Sequence, residues 1–158
     1  MNAGPLLDSI VAALAEAGLE AILIGNAAAA IHGAPVTTVD FDFMFRTTPV
    51  NLAKLKKFAA KMDAVILQPY YPISALYWVM NDGRDLRADF MPVVHGVKSF
   101  NSLQSRATRV ELGGRQLWVA DLADIIASKR AAGRPRDKAV LETLEKTLHE
   151  KGKQSAKT

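Results

Sequence analysis

Thr37-Thr38-Val39-Asp40-Phe41-Asp42-Phe43-Met44-Phe45-Arg46 is the stretch whose reading decides the fold. β-Branched and aromatic residues dominate it, and Asp40, Asp42 and Met44 alternate with Phe41, Phe43 and Phe45. That period of two belongs to a strand, which sends alternate side chains to opposite faces. Two carboxylates therefore share one face, roughly 7 Å apart along the chain. Ionised, they repel unless a cation lies between them, and oxygen ligands of this kind suit a divalent metal. The same pattern also describes a half-exposed strand with an acidic outer face, and the stretch alone does not choose.

The segment just upstream narrows the choice. Ala21-Ile22-Leu23-Ile24 reads as a short buried strand, Gly25-Asn26 as a turn, and Ala27 to His32 as a helix that stops at Gly33 ahead of Pro35. The helix opens at Gly25-Asn26, where free backbone N–H groups and the positive end of the dipole favour an anion. Gly25, without a side chain, lets a phosphate approach the backbone. A phosphate site and a metal site would then be neighbours. Gly at a strand-to-helix turn followed by Asp-x-Asp on the next strand resembles the nucleotidyltransferase superfamily, the DNA polymerase beta-like fold. The match is best with its small bacterial branch of abortive-infection type toxins and minimal nucleotidyltransferases. Two positions depart from that pattern: Asn26 stands where the family has Gly or Ser, and Val36 where it often has a basic residue.

The whole chain sets bounds. At 158 residues, 49% hydrophobic and 23% charged, it has the composition of an ordinary globular domain, large enough for one core. One domain over 1–150 is expected, followed by a disordered basic tail over 151–158. With no cysteine there is no disulfide, thiolate metal site or Cys nucleophile, in keeping with a reducing cytoplasm, the expected location. No stretch reads as a membrane span or a signal peptide. The formal charge of +4 is unevenly spread: Lys129, Arg130, Arg134, Arg136 and Lys138 against Asp137 carry as much by themselves. Such a segment suits nucleotide or nucleic-acid phosphates, or is simply a solvated helix junction.

Taken in order, the spacing predicts a helix over Leu6–Leu14 ending at Gly18, and another over Asn51–Met62 with Leu52, Leu55, Phe58 and Ala59 inward. Ala64–Leu67 and Ala75–Met80 read as strands. Pro69, Tyr70, Tyr71 and Pro72 between them break regular structure, and their rings suit either a core or a base-stacking surface. After the turn at Asn81-Asp82-Gly83, Leu86, Ala88 and Phe90 alternate with Arg87 and Asp89. Val93 to Arg106 is a loop or a short helix. Ala107–Leu112, Gly113-Gly114 and Arg115–Val119 read as a hairpin on the sheet edge, because Gly-Gly supplies the positive φ of a tight turn.

Asp121 then caps a helix, with Asp124 at capping-box spacing and Leu122, Ile125 and Ile126 inward. Gly133 and Pro135 end it and start a second helix to about Glu150, with Val140, Leu141, Leu144 and Leu148 inward. The fold expected is α/β (α+β), a mixed sheet of about five or more strands flanked by helices, closed by a C-terminal helical hairpin.

The resemblance extends to two further places. Asp89 matches the third carboxylate that completes the superfamily's metal site from a neighbouring strand. The run from Lys129 through Ala132-Gly133-Arg134 to Asp137 is similar to the branch's Lys-x-x-Ala-Gly-Arg-x-x-Asp junction, whose basic groups face the triphosphate. The resemblance thus implies Asp40, Asp42 and Asp89 as metal ligands and catalytic groups for Mg²⁺ or Mn²⁺, and Gly25, Asn26, Lys129, Arg134 and Arg136 as nucleotide-binding residues. It implies transfer of an NMP from an NTP to a hydroxyl acceptor by a two-metal, in-line mechanism. The acceptor is left open among RNA ends, a protein side chain or a small molecule, with an antitoxin or helical partner possible for a toxin-like member. A degenerate relative that keeps the fold as a binding or toxin-antitoxin-like module, and an unrelated α/β domain, are the competing readings. No dinucleotide fingerprint or P-loop is present, and His32, His95 and His149 lack metal or nucleophile spacing, so His32 is read as a packing or capping residue.

Overall fold

The computed structural model describes residues 4–38, 40–68 and 76–156. A seven-stranded mixed sheet carries β1 (Ala21–Ile24), β2 (Phe41–Phe45), β3 (Val65–Leu67), β4 (Tyr77–Asn81), β5 (Leu86–Met91), β6 (Thr108–Leu112) and β7 (Arg115–Val119). Its spatial order is β3-β4-β5-β2-β1-β7-β6. The helices are α1 (Gly4–Ala17), α2 (Gly25–Ile31), α3 (Pro49–Lys61), α4 (Phe100–Arg106), α5 (Leu122–Ala132) and α6 (Pro135–Ala156). The first strand is buried along its whole length, as an apolar run without alternation requires at the centre of a covered sheet.

β2 is shorter than the sequence pattern. It begins at Phe41, because its partner β1 ends at the Gly25 turn and the last β1–β2 pair is Ile24 with Asp42. Asp40 stands just ahead of the strand, its carbonyl accepting from the Thr38 hydroxyl at 2.9 Å, and Val39 lies outside the described residues. The phenylalanine face packs as the alternation demands: Phe43 stacks on Phe90 of β5 at 4.9 Å, and Phe58 of α3 meets Phe90 edge-on at 5.4 Å. Phe43, Phe58 and Phe90 are fully buried, and each contributes on the order of 2 kcal/mol of apolar transfer. This packing fixes β2 beside β5 and turns Asp42 and Asp89 to the other face.

The hairpin forms as read, with a two-residue turn at Gly113 (φ 59°) and Gly114 (φ 79°), β7 joining β1 in parallel and β6 left as the edge strand. Ser99 caps α4, resolving the part of the chain that read as loop or short helix. The helix pair α5–α6 closes the chain, with Gly133 ending α5 and Pro135 opening α6.

Three local expectations change. Asp121 caps the N–H of Ala123 at 3.2 Å, but the Asp124 carboxylate is taken by Arg106 and makes no capping box. Leu148, expected inward, is 37% exposed, because α5 spans 11 residues against the 22 of α6 and cannot cover the far half of α6. Helix α6 also continues to Ala156, past the end expected near Glu150, supported by a Lys153–Glu150 pair. The aromatic run Pro69, Tyr70, Tyr71 and Pro72, and the start of the next strand at Ala75, lie outside the described residues. No helix among the described residues is long and apolar enough to cross a membrane.

Candidate active site

The register of the sheet builds the site. Asp42 on β2 pairs directly with Asp89 on β5 across a parallel ladder, and Ile24, the residue before Gly25, pairs with Asp42 on the other side. The turn at Gly25 therefore lies beside the carboxylates. Gly25 has φ +68°, and a Cβ there would fall 2.9 Å from Asp42 Oδ2, so only glycine lets the carboxylate lie under the turn.

The Asp42 and Asp89 carboxyls act directly on one another across the ladder. Burial, the Asp89 carboxyl and the Asp40 charge together push Asp42 up to about 6, with Lys129 opposing. Burial raises Asp89 as well, against the pull of Arg87. Asp89 is only 9% exposed. Arg87 is the resident counter-charge: its Nε lies 3.5 Å from Asp89 and 4.0 Å from Asp40, and its guanidinium sits 5.1 Å from the centre of the Trp78 ring.

Across the cavity stands the α5–α6 junction. Asp137, 2% exposed, accepts from Arg134 Nε at 2.6 Å and from the Arg134 backbone N–H at 3.2 Å, and lies 3.9 Å from Lys129 Nζ. Burial alone would raise the Asp137 carboxyl, but the Arg134 hydrogen bonds and charge, with Lys129, hold it below its ordinary value. Lys129 is itself lowered, first by burial and then by the neighbouring arginines, while Asp137 and Asp42 favour its charge. Asp137 thus fixes the two basic groups at the cavity wall.

All the residues assigned from the sequence, Gly25, Asn26, Asp40, Asp42, Asp89, Lys129, Arg134 and Arg136, line one cavity of about 1070 Å³. Asn26 donates from Nδ2 to the Thr37 carbonyl at 3.4 Å, and its Oδ1 is buried without a hydrogen-bond partner. A half-turn of the amide would exchange acceptor for donor at that position.

Among the described residues no group of three or more carboxylate, imidazole or thiolate side chains is already arranged to hold a metal ion. Arg87 draws Asp40 and Asp89 to itself instead. The donor set still suits a hard divalent cation: all ligands are carboxylate oxygens, two of them are pressed together in register, and burial leaves their shared charge undercompensated.

The sequence reading missed the partners that tie these groups down. Arg87 was visible as the residue two before Asp89 on the same strand face, and Trp78 as the cross-strand neighbour that only the β4–β5 register reveals. His95, set aside for want of partners, lines the cavity. His32 does not. Its Nε2 lies 2.7 Å from the Ala120 carbonyl and its Nδ1 2.9 Å from Lys151 Nζ, so a neutral ring donates to the first and accepts from the second, tying α2 to α6.

A mixed sheet carrying paired aspartates beside a glycine turn, with a third aspartate on the adjacent parallel strand, defines a nucleotidyltransferase superfamily fold. The chain belongs to the family described as nucleotidyl transferase of unknown function (DUF2204), whose model matches residues 5–157. It is similar in fold to ANT(2″)-Ia in complex with adenylyl-2″-tobramycin, with a TM-score of 0.63 and 16% identity over 97% of this chain and 91% of that one. It also resembles TM1012 of Thermotoga maritima in fold, with a TM-score of 0.58 and 17% identity over 92% of each chain. A third likeness is to an antigenic nucleotidyltransferase-like protein from Paracoccidioides brasiliensis, with a TM-score of 0.62 and 12% identity over 92% of this chain and 74% of that one. No functionally curated protein matches the chain in sequence.

Proposed function

We propose that this protein transfers a nucleoside monophosphate from a nucleoside triphosphate to an acceptor hydroxyl. The observation that carries the reading is the gathering of every assigned acidic and basic side chain around one cavity, with Asp42 and Asp89 in register on one wall and Lys129, Arg134 and Arg136 on another. A triphosphate needs that pairing, since carboxylates alone would repel it and cations alone would hold no metal.

Asp40, Asp42 and Asp89 would hold Mg²⁺ or Mn²⁺. Bound there, the ions would neutralise phosphoryl oxygens and ease ionisation of the acceptor hydroxyl. The remaining work falls to the chain itself. Gly25 leaves its backbone open to the β- and γ-phosphates, and Asn26 offers its amide beside them. Lys129, with Arg134 and Arg136 nearby, faces the charge that builds on the leaving pyrophosphate. Asp89, whose carboxyl has a raised proton affinity, takes the acceptor's proton as its oxygen attacks the α-phosphorus in line with the departing group.

Aminoglycoside modification, the chemistry of ANT(2″)-Ia, is not carried over, because the likeness is one of fold. Nucleoside triphosphate as donor makes the cytoplasm the natural compartment of this reading. A toxin-like role with an antitoxin or helical partner draws only on the sequence resemblance. One observation favours a degenerate binding module: Asn26 fills the small-residue position of the glycine turn with a side chain already bonded to Thr37.

Titration calorimetry of the protein with each of the four NTPs, with and without Mg²⁺, separates the readings. Metal-dependent binding is expected for the transferase. Binding that ignores the metal, or no binding at all, would remove it.

A further inference from the structure

The cavity has a second half that the phosphate-binding residues leave unused. In register, Trp78 of β4 faces Asp89 of β5, Asp89 faces Asp42 of β2, and Asp42 faces Ile24 of β1, a row across four neighbouring strands. Gly25 and Asn26 follow the β1 end of that row, and Lys129 acts on Asp42. An in-line displacement sends the leaving group and the entering oxygen to opposite sides of phosphorus. With pyrophosphate leaving toward Gly25 and Lys129, the acceptor enters from the Trp78 side.

The charges that line the cavity are already paired on both walls. Asp124 is held by Arg106 through contacts of 2.8, 2.9 and 3.1 Å. Asp137 is held by Arg134 and Lys129, and both Asp40 and Asp89 lie against Arg87. Among the described residues each carboxylate lining the cavity has a cation near it, Asp42 feeling Lys129, and the cation beside Trp78 is Arg87. A divalent ion on Asp40 and Asp89 would compete with Arg87 for both partners, and the Arg87 guanidinium lies 5.1 Å from the centre of the Trp78 ring. Trp78 Nε1 is buried without a hydrogen-bond partner, and Met91, Pro92 and the 78% exposed Val93 extend the strip with apolar surface.

We infer that this strip, Trp78 with Arg87 and the Met91–Val93 segment, is an acceptor subsite for a hydroxyl compound that carries a planar ring and an anionic group, with Arg87 selecting against cations. The inference rests on the nucleotidyl-transfer reading and adds the acceptor's class to it. A ring with an anion and a hydroxyl is met both by a free aromatic hydroxy acid and by the end of a nucleotide chain.

The test compares two probes of similar size and opposite charge, 3-(4-hydroxyphenyl)propionate and tyramine, with a dinucleoside monophosphate as the third arm. Each is titrated into protein saturated with Mg²⁺ and the non-transferable α,β-methylene analogue of the NTP that binds, and tryptophan quenching is followed. The signal belonging to Trp78 is the part lost in Trp78→Phe. The propionate should quench Trp78 at a concentration roughly tenfold below that of tyramine, the scale of one charge-assisted contact. In Arg87→Met the two should become equal. Tighter quenching by the dinucleotide than by the propionate would assign the class to nucleotide ends, and the reverse to free aromatic acids. Equal quenching by both charges in the unmodified protein, a preference for tyramine, or a preference that survives in Arg87→Met would overturn the inference. Calorimetry on the same samples keeps the two claims apart: nucleotide binding with no anion preference defeats this inference alone, whereas no metal-dependent nucleotide binding defeats both.

Discussion

Asp42 on β2 and Asp89 on β5 are direct register partners across a parallel pair of strands, two carboxyls facing one cavity from adjacent backbone positions. The Phe43–Phe90 packing on the opposite face sets this register, at a cost to the two carboxyls. Burial and mutual repulsion push Asp42 up to about 6, an electrostatic cost that a cation bound there would relieve.

Asp42→Asn is accordingly expected to abolish Mg²⁺-dependent nucleotide binding while leaving the metal-free protein equally stable or more so, by up to ~2 kcal/mol. Calorimetry and chemical unfolding in chelator check the two halves. A clear loss of metal-free stability would mean that Asp42 is a structural carboxylate.

The pH dependence has a definite sign. The folded protein keeps the Asp42 proton up to about 6, whereas the unfolded chain releases it near the ordinary value of 3.8. The stability this supplies is fully present below the unfolded value and is lost as pH rises through about 6. In chelator, unfolding free energy should therefore fall across that window by about 1–3 kcal/mol from this group, and Asp42→Asn should flatten the fall. Mg²⁺ affinity should rise across the same window as the proton is displaced. A pH-independent Mg²⁺ affinity between 5 and 7 would contradict the assignment.

Gly25→Ala joins a left-handed backbone to a contact of 2.9 Å with Asp42 Oδ2. A cost of roughly 1–2 kcal/mol in thermal unfolding is expected, together with weaker metal binding as Asp42 is pushed aside. Gly33→Ala, at φ +97° with nothing within 4 Å, is the control for backbone strain without the contact.

Lys129→Ala should weaken nucleotide binding about tenfold at low salt, and by less as salt screens the lost charge. The fold should lose only about 1 kcal/mol, because Asp137 keeps the Arg134 side chain and backbone N–H. Unchanged affinity and salt dependence would make the junction a structural clasp only.

Much of this architecture was legible because its determinants are local. Period-two alternation at Phe41–Phe45 and Leu86–Met91 placed both carboxylates on their faces, and Gly113-Gly114 announced the hairpin. What was not legible came from pairing distant parts of the chain. The register that sets Trp78 opposite Asp89, the Arg87 contact with Asp40, and the capture of Asp124 by Arg106 each join residues whose spacing carries no signal. The exposed Leu148 is of the same kind: its own helix repeats correctly, but the neighbour that would cover it stops at Ala132.

Transfer of the nucleoside monophosphate through its α-phosphorus is tested by one paired measurement. The purified protein is incubated with Mg²⁺, cell extract and each NTP, labelled in parallel at the α- or the γ-phosphate. α-Label should move to an acceptor while γ-label leaves as pyrophosphate, and Asp42→Asn and Asp89→Asn should both stop the transfer. Label moving from the γ position, or α-transfer that persists in both variants, would contradict it.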